Sequence, residues 1–196
     1  DIVELGPNLL VKSDNMQTRT ITIDIDGEDA DWDPSVLLVH AYRKDFDRIL
    51  LKSQTSLDAK RIEKTVHSSM LGFAITRKED DAIELENISE PSGEKYEAVL
   101  RRVFLLNKEM IGSLKEGLQE GVDKSAQTKE LRMQMDKYVL FCKRILYKER
   151  YEHDPLLQWE LLTFLMHINH SLQYFSEEVK GHKDDLLARY LDELLQ

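Results

Sequence analysis

The stretch AIELENISEPSGEKYEAVLRRVFLLN, residues 82 to 107, changes its hydrophobic period in the middle. Before EPSGE (90 to 94), Ile83 and Leu85 alternate with charged residues, as a half-buried strand requires. After it, Tyr96, Val99, Val103 and Leu106 stand three and four apart, the spacing of one helix face. The Pro-Ser-Gly segment reads as a linker. A mixed part is therefore expected upstream and an all-helical part downstream.

Upstream, TITIDID puts Ile21, Ile23 and Ile25 on one face of a strand. Asp33-Pro34 supplies a helix N-cap with proline at the first helical position, for PSVLLVHAYRKD. RILLK (48 to 52) is a second strand, and Ser56 caps a helix to about Met70 that Gly72 ends. FAITR and AIELENI, joined by KEDD, form a β-hairpin. The order strand, helix, strand, helix, strand, strand predicts a small α+β sandwich over 20–90, with helices on one face of a short sheet. Residues 1–19 open with Ile2, Val3 and Leu5, then Leu9, Leu10 and Val11, two short β runs around Gly-Pro. They read as the remnant of a larger N-terminal β domain, or a linker.

Downstream, residues 95–196 carry four amphipathic stretches. The first (95–121) aligns Tyr96, Val99, Val103, Leu106, Met110, Leu114 and Leu118. The second (125–149) aligns Leu131, Met135, Tyr138, Cys142 and Ile145. The third, capped by Asp154-Pro155, aligns Leu157, Leu161, Leu165, Ile168, Leu172, Phe175 and Val179. KDDLLARYLDELLQ follows Gly181, and its exposed apolar stripe implies a missing neighbour: a further part of the chain, a second subunit, or both. Such spacing predicts an antiparallel three-helix bundle plus a fragment.

The totals narrow the function. Of 196 residues 41% are hydrophobic and 33% charged, which suits a folded core and not a disordered chain. A net charge of -10 argues against broad contacts to a phosphate backbone, so direct nucleic-acid binding is not expected. No run approaches the roughly 20 apolar residues of a membrane span. The single cysteine, Cys142, excludes an internal disulfide and fits a reducing cytoplasm, the expected location.

Chemistry-bearing motifs are scarce. Glycines stand alone, so no phosphate-cradling loop is present, and no Gly-x-Ser-x-Gly elbow appears. No histidine has an acid three positions before it, which removes the Glu-x-x-His pairs of di-iron bundles. His167 and His170 are one helical turn apart, close enough to share a metal, but lie off the apolar stripe. Arg101-Arg102 and Lys143-Arg144 read as solvated helix flanks, and Trp32 and Trp159 as packing residues. No enzyme activity and no cofactor are expected.

Three segments carry a resemblance. DIVELGPNLLVK looks like the end of an AbrB-type domain, with its "G-D-x-V … L-x-V" close. VLLVHAYRKDFDRILL matches the element "iiaxYxxGyDxIxI" with Tyr42, Asp47 and Ile49 in step. YEAVLRRVFLLNKEM matches a bundle helix that starts "lrRM", through Leu100, Arg101, Arg102 and Val103. Together they resemble the archaeal PhoU-like phosphate-uptake regulators, in which an AbrB/SpoVT-type domain precedes an α+β domain and PhoU helical bundles. The resemblance implies a non-enzymatic regulator that couples phosphate status to phosphate transport or transcription through protein contacts. It also implies a homo-oligomer, with a phosphate transporter or signalling protein as partner, and a chain truncated within the PhoU region.

Relatives of this kind hold iron or zinc clusters on paired carboxylates. Carried over, the family's "ExDxEVDRLY" places its last acid on Asp136 and the acid four positions earlier on Arg132. "ERIGDH" falls on Met166 to Ser171, where both carboxylates are missing. A hard cluster needs several carboxylates to offset the metal charge. The expectation is therefore no cluster, with Asp136 paired to Arg132. The alternatives are a zinc or iron site on Asp136, His167 and His170, in a metal-binding helical bundle protein, or a small-molecule-sensing module of a transcription regulator.

Overall fold

The computed structural model describes residues 18–26, 33–89, 95–148 and 154–193, together with the backbone of residues 2–5 and 8–11. The Gly-Pro turn, Trp32 and the EPSGE linker lie outside the described residues. Two short strands, β1 (Ile2–Leu5) and β2 (Asn8–Val11), pair antiparallel, as the two apolar runs predict.

The chain is α+β: a small mixed sheet followed by helices. The sheet holds β3 (Thr20–Asp24), β4 (Arg48–Lys52), β5 (Phe73–Lys78) and β6 (Ala82–Asn87), in the order β3-β4-β6-β5. Helix α1 (Pro34–Arg43) crosses between β3 and β4, so that pair is parallel, and the other two pairs are antiparallel. Period-2 alternation buries Ile49, Leu51, Ile83 and Leu85 completely on one face of the two central strands. Leu38, Ala41 and Tyr42 of α1 and Ile62 and Val66 of α2 (Ala59–Ser69) join them in one core. The opposite face carries Arg48 paired with Glu84 and, at 3.2 Å, with Glu86.

Asp33 caps α1 through the Ser35 amide. The cap of α2 is Asp58, not Ser56: its carboxylate accepts from the Arg61 amide at 3.1 Å. Leu57, just before that cap, and Ile62 four positions into the helix share the core, a staple that fixes where the chain enters.

The four downstream helices are α3 (Tyr96–Glu120), α4 (Ser125–Lys148), α5 (Pro155–Glu178) and α6 (Asp185–Glu193). Gly121 ends α3 at φ 69°, the left-handed position that glycine takes most cheaply. Helix α4 is the central element. It packs along α3 and α5, while α1 and α2 press on it from the sheet side. Helices α3 and α5 touch each other far less, and α6 lies on α3, burying Ala188 and Leu191. The final stripe, expected to face a missing neighbour, packs instead on α3 of the same chain, while Leu186 and Tyr190 stay exposed.

Two expectations are corrected. Lys143 and Arg144 are 2% and 0% exposed, not a solvated flank, because α4 is covered on opposite sides along its last two turns. The buried face of α5 runs through Leu162, Leu165, Asn169, Gln173 and Ser176, roughly a quarter-turn from the predicted stripe. Leu161, Ile168, Leu172, Phe175 and Val179 are therefore half-buried and Leu157 is exposed. Polarity misled the count here, since the inward face of α5 includes an amide that reaches α4: Asn169 Nδ2 donates to the Arg132 carbonyl.

Candidate functional site

Two constellations occupy the junction between the sheet part and α4. The first is built on Arg144. Its Nη1 donates to the carbonyls of Tyr42 (2.8 Å) and Phe46 (3.0 Å), and its Nη2 donates to Asp47 Oδ1 at 2.9 Å. Tyr42 lies in the last turn of α1, so the guanidinium meets carbonyls at the negative end of a helix. Asp45 Oδ1 is 3.2 Å away, within ion-pair distance, and Arg19 and Lys148 also face that carboxylate. The Arg144 plane lies 5.2 Å from both the Tyr42 and Phe73 rings. Burial raises the Asp45 carboxyl above its ordinary range, and the Arg144 charge pulls it partly back. Asp45 also has φ 62°, uncommon for a residue with a side chain.

The second constellation is a crevice of about 400 Å³ with α4 as its floor. Ser35, Val36, Val39, His40 and Arg43 of α1 and Thr65 and Ser69 of α2 form one wall, Met166 of α5 the other, and Asp136 and Leu140 line the floor. One turn beyond Leu140 on α4, outside the lining of the crevice, is the buried Lys143, whose Nζ donates to Thr163 Oγ1 at 2.8 Å and lies 4.9 Å from the Trp159 ring. Burial, followed by the Arg43 charge, lowers the Lys143 ammonium to about 8. His40 is lowered by partial burial, then by Arg43 and Lys44.

At the other end, His170 Nε2 donates to the Asp136 carboxylate, 2.9 Å from Oδ1. Arg132 donates to Oδ2 at 3.2 Å, which is the ion pair expected from the spacing of four. With its Nε2 hydrogen directed at Asp136, the 3.4 Å approach of Arg132 to His170 brings two donors together and is no bond. Burial raises the Asp136 carboxyl, and His170 and then Arg132 oppose that rise.

Of the three residues considered for a metal, Asp136 and His170 are brought together and His167 is exposed, outside the pair. Among the described residues no three His, Cys, Asp or Glu side chains gather as a metal site. The Asp136 carboxylate is already engaged by two donors, His170 and Arg132. Cys142 is buried, with its thiol pushed up to about 12, so it stays protonated and unreactive. Among the described residues no helix is long and apolar enough to cross a membrane.

Sequence reasoning missed His40, Arg43 and Lys143 as neighbours. A signal was present in VLFCKRIL (139–146), which is apolar on every side except for Lys143 and Arg144. A helix apolar all round is a buried helix, so its charges have to be met by partners or by a cavity. Compared with known protein families, curated proteins and solved structures, the chain gives no match in any of the three.

Proposed function

We propose that this chain is a non-enzymatic regulator that works through protein contacts, of the kind its resemblance to PhoU-like proteins implies, coupling phosphate status to phosphate transport or transcription. In this reading the helices form a PhoU-like bundle, and the α+β part is its rigid attachment. The observation that carries it is the outer face of α5. Leu156, Leu157, Phe164 and Tyr174 are 61 to 67% exposed on one side of that helix, with the exposed Glu160, His167 and Ser171 among them. Exposed large apolar side chains set among polar ones suit a surface that meets another protein. Asp45 takes a left-handed φ where the element "iiaxYxxGyDxIxI" has glycine, which supports the resemblance.

The test is a photo-crosslinking amino acid at position 164 in the native host, with exposed Lys108 on α3 as the control position. The expected result is a specific adduct at 164 with a transport or signalling protein or a second copy of the chain. No adduct at 164 beyond that at 108 would overturn the contact reading.

The crevice favours a second reading, a small-molecule-sensing module. Its walls come from the sheet part and the helices, so a ligand there touches both. A ligand that binds only the folded state raises the melting temperature, so a thermal-shift panel reports on this reading.

A further inference from the structure

We infer that the free edge of β3 is a dimerisation edge: it pairs antiparallel with β3 of a second copy of this chain, centred on Thr22, and joins the two four-stranded sheets into one. The inference goes beyond the contact face of α5 and uses none of its residues.

The hydrogen-bonding pattern defines the edge. β3 stands at the end of the order β3-β4-β6-β5, with β4 as its neighbour in the sheet. The Arg19 carbonyl accepts from the Arg48 amide at 3.1 Å, and the Ile25 amide donates to the Lys52 carbonyl at 3.0 Å. Alternate residues of a strand turn both backbone groups the same way, so Thr20, Thr22 and Asp24 turn theirs away from β4. All three residues are exposed, and among the described residues no strand or turn bonds those groups.

The two edges of the sheet are treated differently. β5 has a bulge between Ile75 and Arg77 and carries Arg77 and Lys78, devices that keep an edge from pairing. β3 lacks both. Its register against β4 is regular from Thr20 to Asp24, and TITID contains no proline or lysine and is rich in β-branched residues. A strand of this kind is a template for strand addition.

The side chains select a second copy as the added strand. Centred on Thr22, the pairing sets Thr22 opposite its own copy and Thr20 opposite Asp24, so every outward N–H and C=O of β3 finds a partner. On the open face of the sheet, Thr20 neighbours Arg48 and Asp24 neighbours Lys52. A row across the joined sheet then reads Arg48, Thr20, Asp24, Lys52, the last two from the second copy, with no like charges adjacent. Centring on Asp24 instead sets two carboxylates face to face, which is unfavourable. On the core face, Ile21 and Ile25 are only half-buried against the sheet core. The pairing brings Ile21 opposite Ile23 of the second copy and covers that apolar rim.

Light scattering of the full chain over a dilution series, with three variants, tests the assignment. Wild type is expected to show twice the chain mass, giving way to monomer on dilution. Thr22→Lys puts two ammonium groups opposite each other at an exposed position and is expected to weaken self-association by at least about tenfold. Thr22→Pro removes an N–H that β4 does not use and is expected to do the same, with the fold verified by circular dichroism. Thr22→Cys is expected to form a disulfide-linked dimer under mild oxidation, whereas Lys108→Cys, exposed on α3, is not; Cys142 is buried and does not compete. A wild type that is monomeric throughout, an unaltered association in Thr22→Lys, or an uncrosslinked Thr22→Cys each overturns the assignment. Association that persists in Thr22→Lys together with an adduct at position 164 overturns the β3 edge while sparing the contact reading of α5.

Discussion

Replacing Arg144 by Met leaves the apolar stem of the side chain in place and removes the guanidinium. Arg144 is completely buried and donates to two carbonyls and the Asp47 carboxylate, with Asp45 at ion-pair distance. Met supplies none of these donors, so two acidic side chains and the last turn of α1 lose their shared partner. Breaking a buried pair from one side costs about 3–5 kcal/mol, because the charge left behind stays desolvated. Against a total of about 5–15 kcal/mol for a domain, that is a large fraction. Urea unfolding followed by circular dichroism is the assay, with the midpoint shift multiplied by the slope giving the loss. A companion variant isolates the cause. Asp45→Gly removes one stranded carboxylate and relaxes a φ of 62°, so in the Arg144→Met background it is expected to restore about 1–2 kcal/mol. A loss below about 1 kcal/mol for Arg144→Met, or no recovery with Asp45→Gly, refutes the reasoning.

Further outcomes follow from the same geometry. Lys143 keeps its proton to about 10.5 when unfolded but only to about 8 when folded, so the unfolded state binds more protons between those values and stability rises with pH through that window. The rise is about 3 kcal/mol at most, and comparing wild type with Lys143→Met from pH 7 to 10.5 is expected to show it absent in the variant. In His170→Leu the Asp136 carboxyl loses the first of the groups that oppose its upward shift. Its folded form then holds the proton to higher pH than the unfolded chain does, so denaturation between pH 4 and 7 is expected to show stability falling more steeply with rising pH than in wild type. Gly121→Ala forces a side chain into the left-handed cap at φ 69°, with an expected loss of about 1 kcal/mol in thermal unfolding. Tyr174→Glu, on the same exposed side of α5, is expected to shift stability by no more than about 0.5 kcal/mol while abolishing the crosslink at 164.

The elements were legible where one local rule governs them. Asp33-Pro34 and Asp154-Pro155 announce helix starts that the structure places as expected, and the alternation in RILLK and AIELENI marks the two central strands. Ser56 lost to Asp58 because both residue types cap well, and the burial of Leu57 decides between them. The rotation of α5 was hidden because its inward face contains Asn169, Gln173 and Ser176, which a hydrophobic count assigns to solvent. The site was half legible. The spacing of four gave the Arg132–Asp136 pair, and the carry-over brought Asp136 and His170 together, though as metal ligands. The meeting of Arg43 with Lys143, about 100 positions apart, depends on how α1 packs on α4, and no local pattern encodes that.

Phosphate uptake in the native host is the most direct test of the regulatory account. The gene is deleted, and uptake is followed as cells pass between phosphate-starved and phosphate-replete medium. The account predicts that the deletion blunts the difference between the two media, and that wild type restores it while a chain with Leu157, Phe164 and Tyr174 changed to Glu does not. A deletion strain with unaltered uptake and unaltered phosphate-responsive transcription would contradict it.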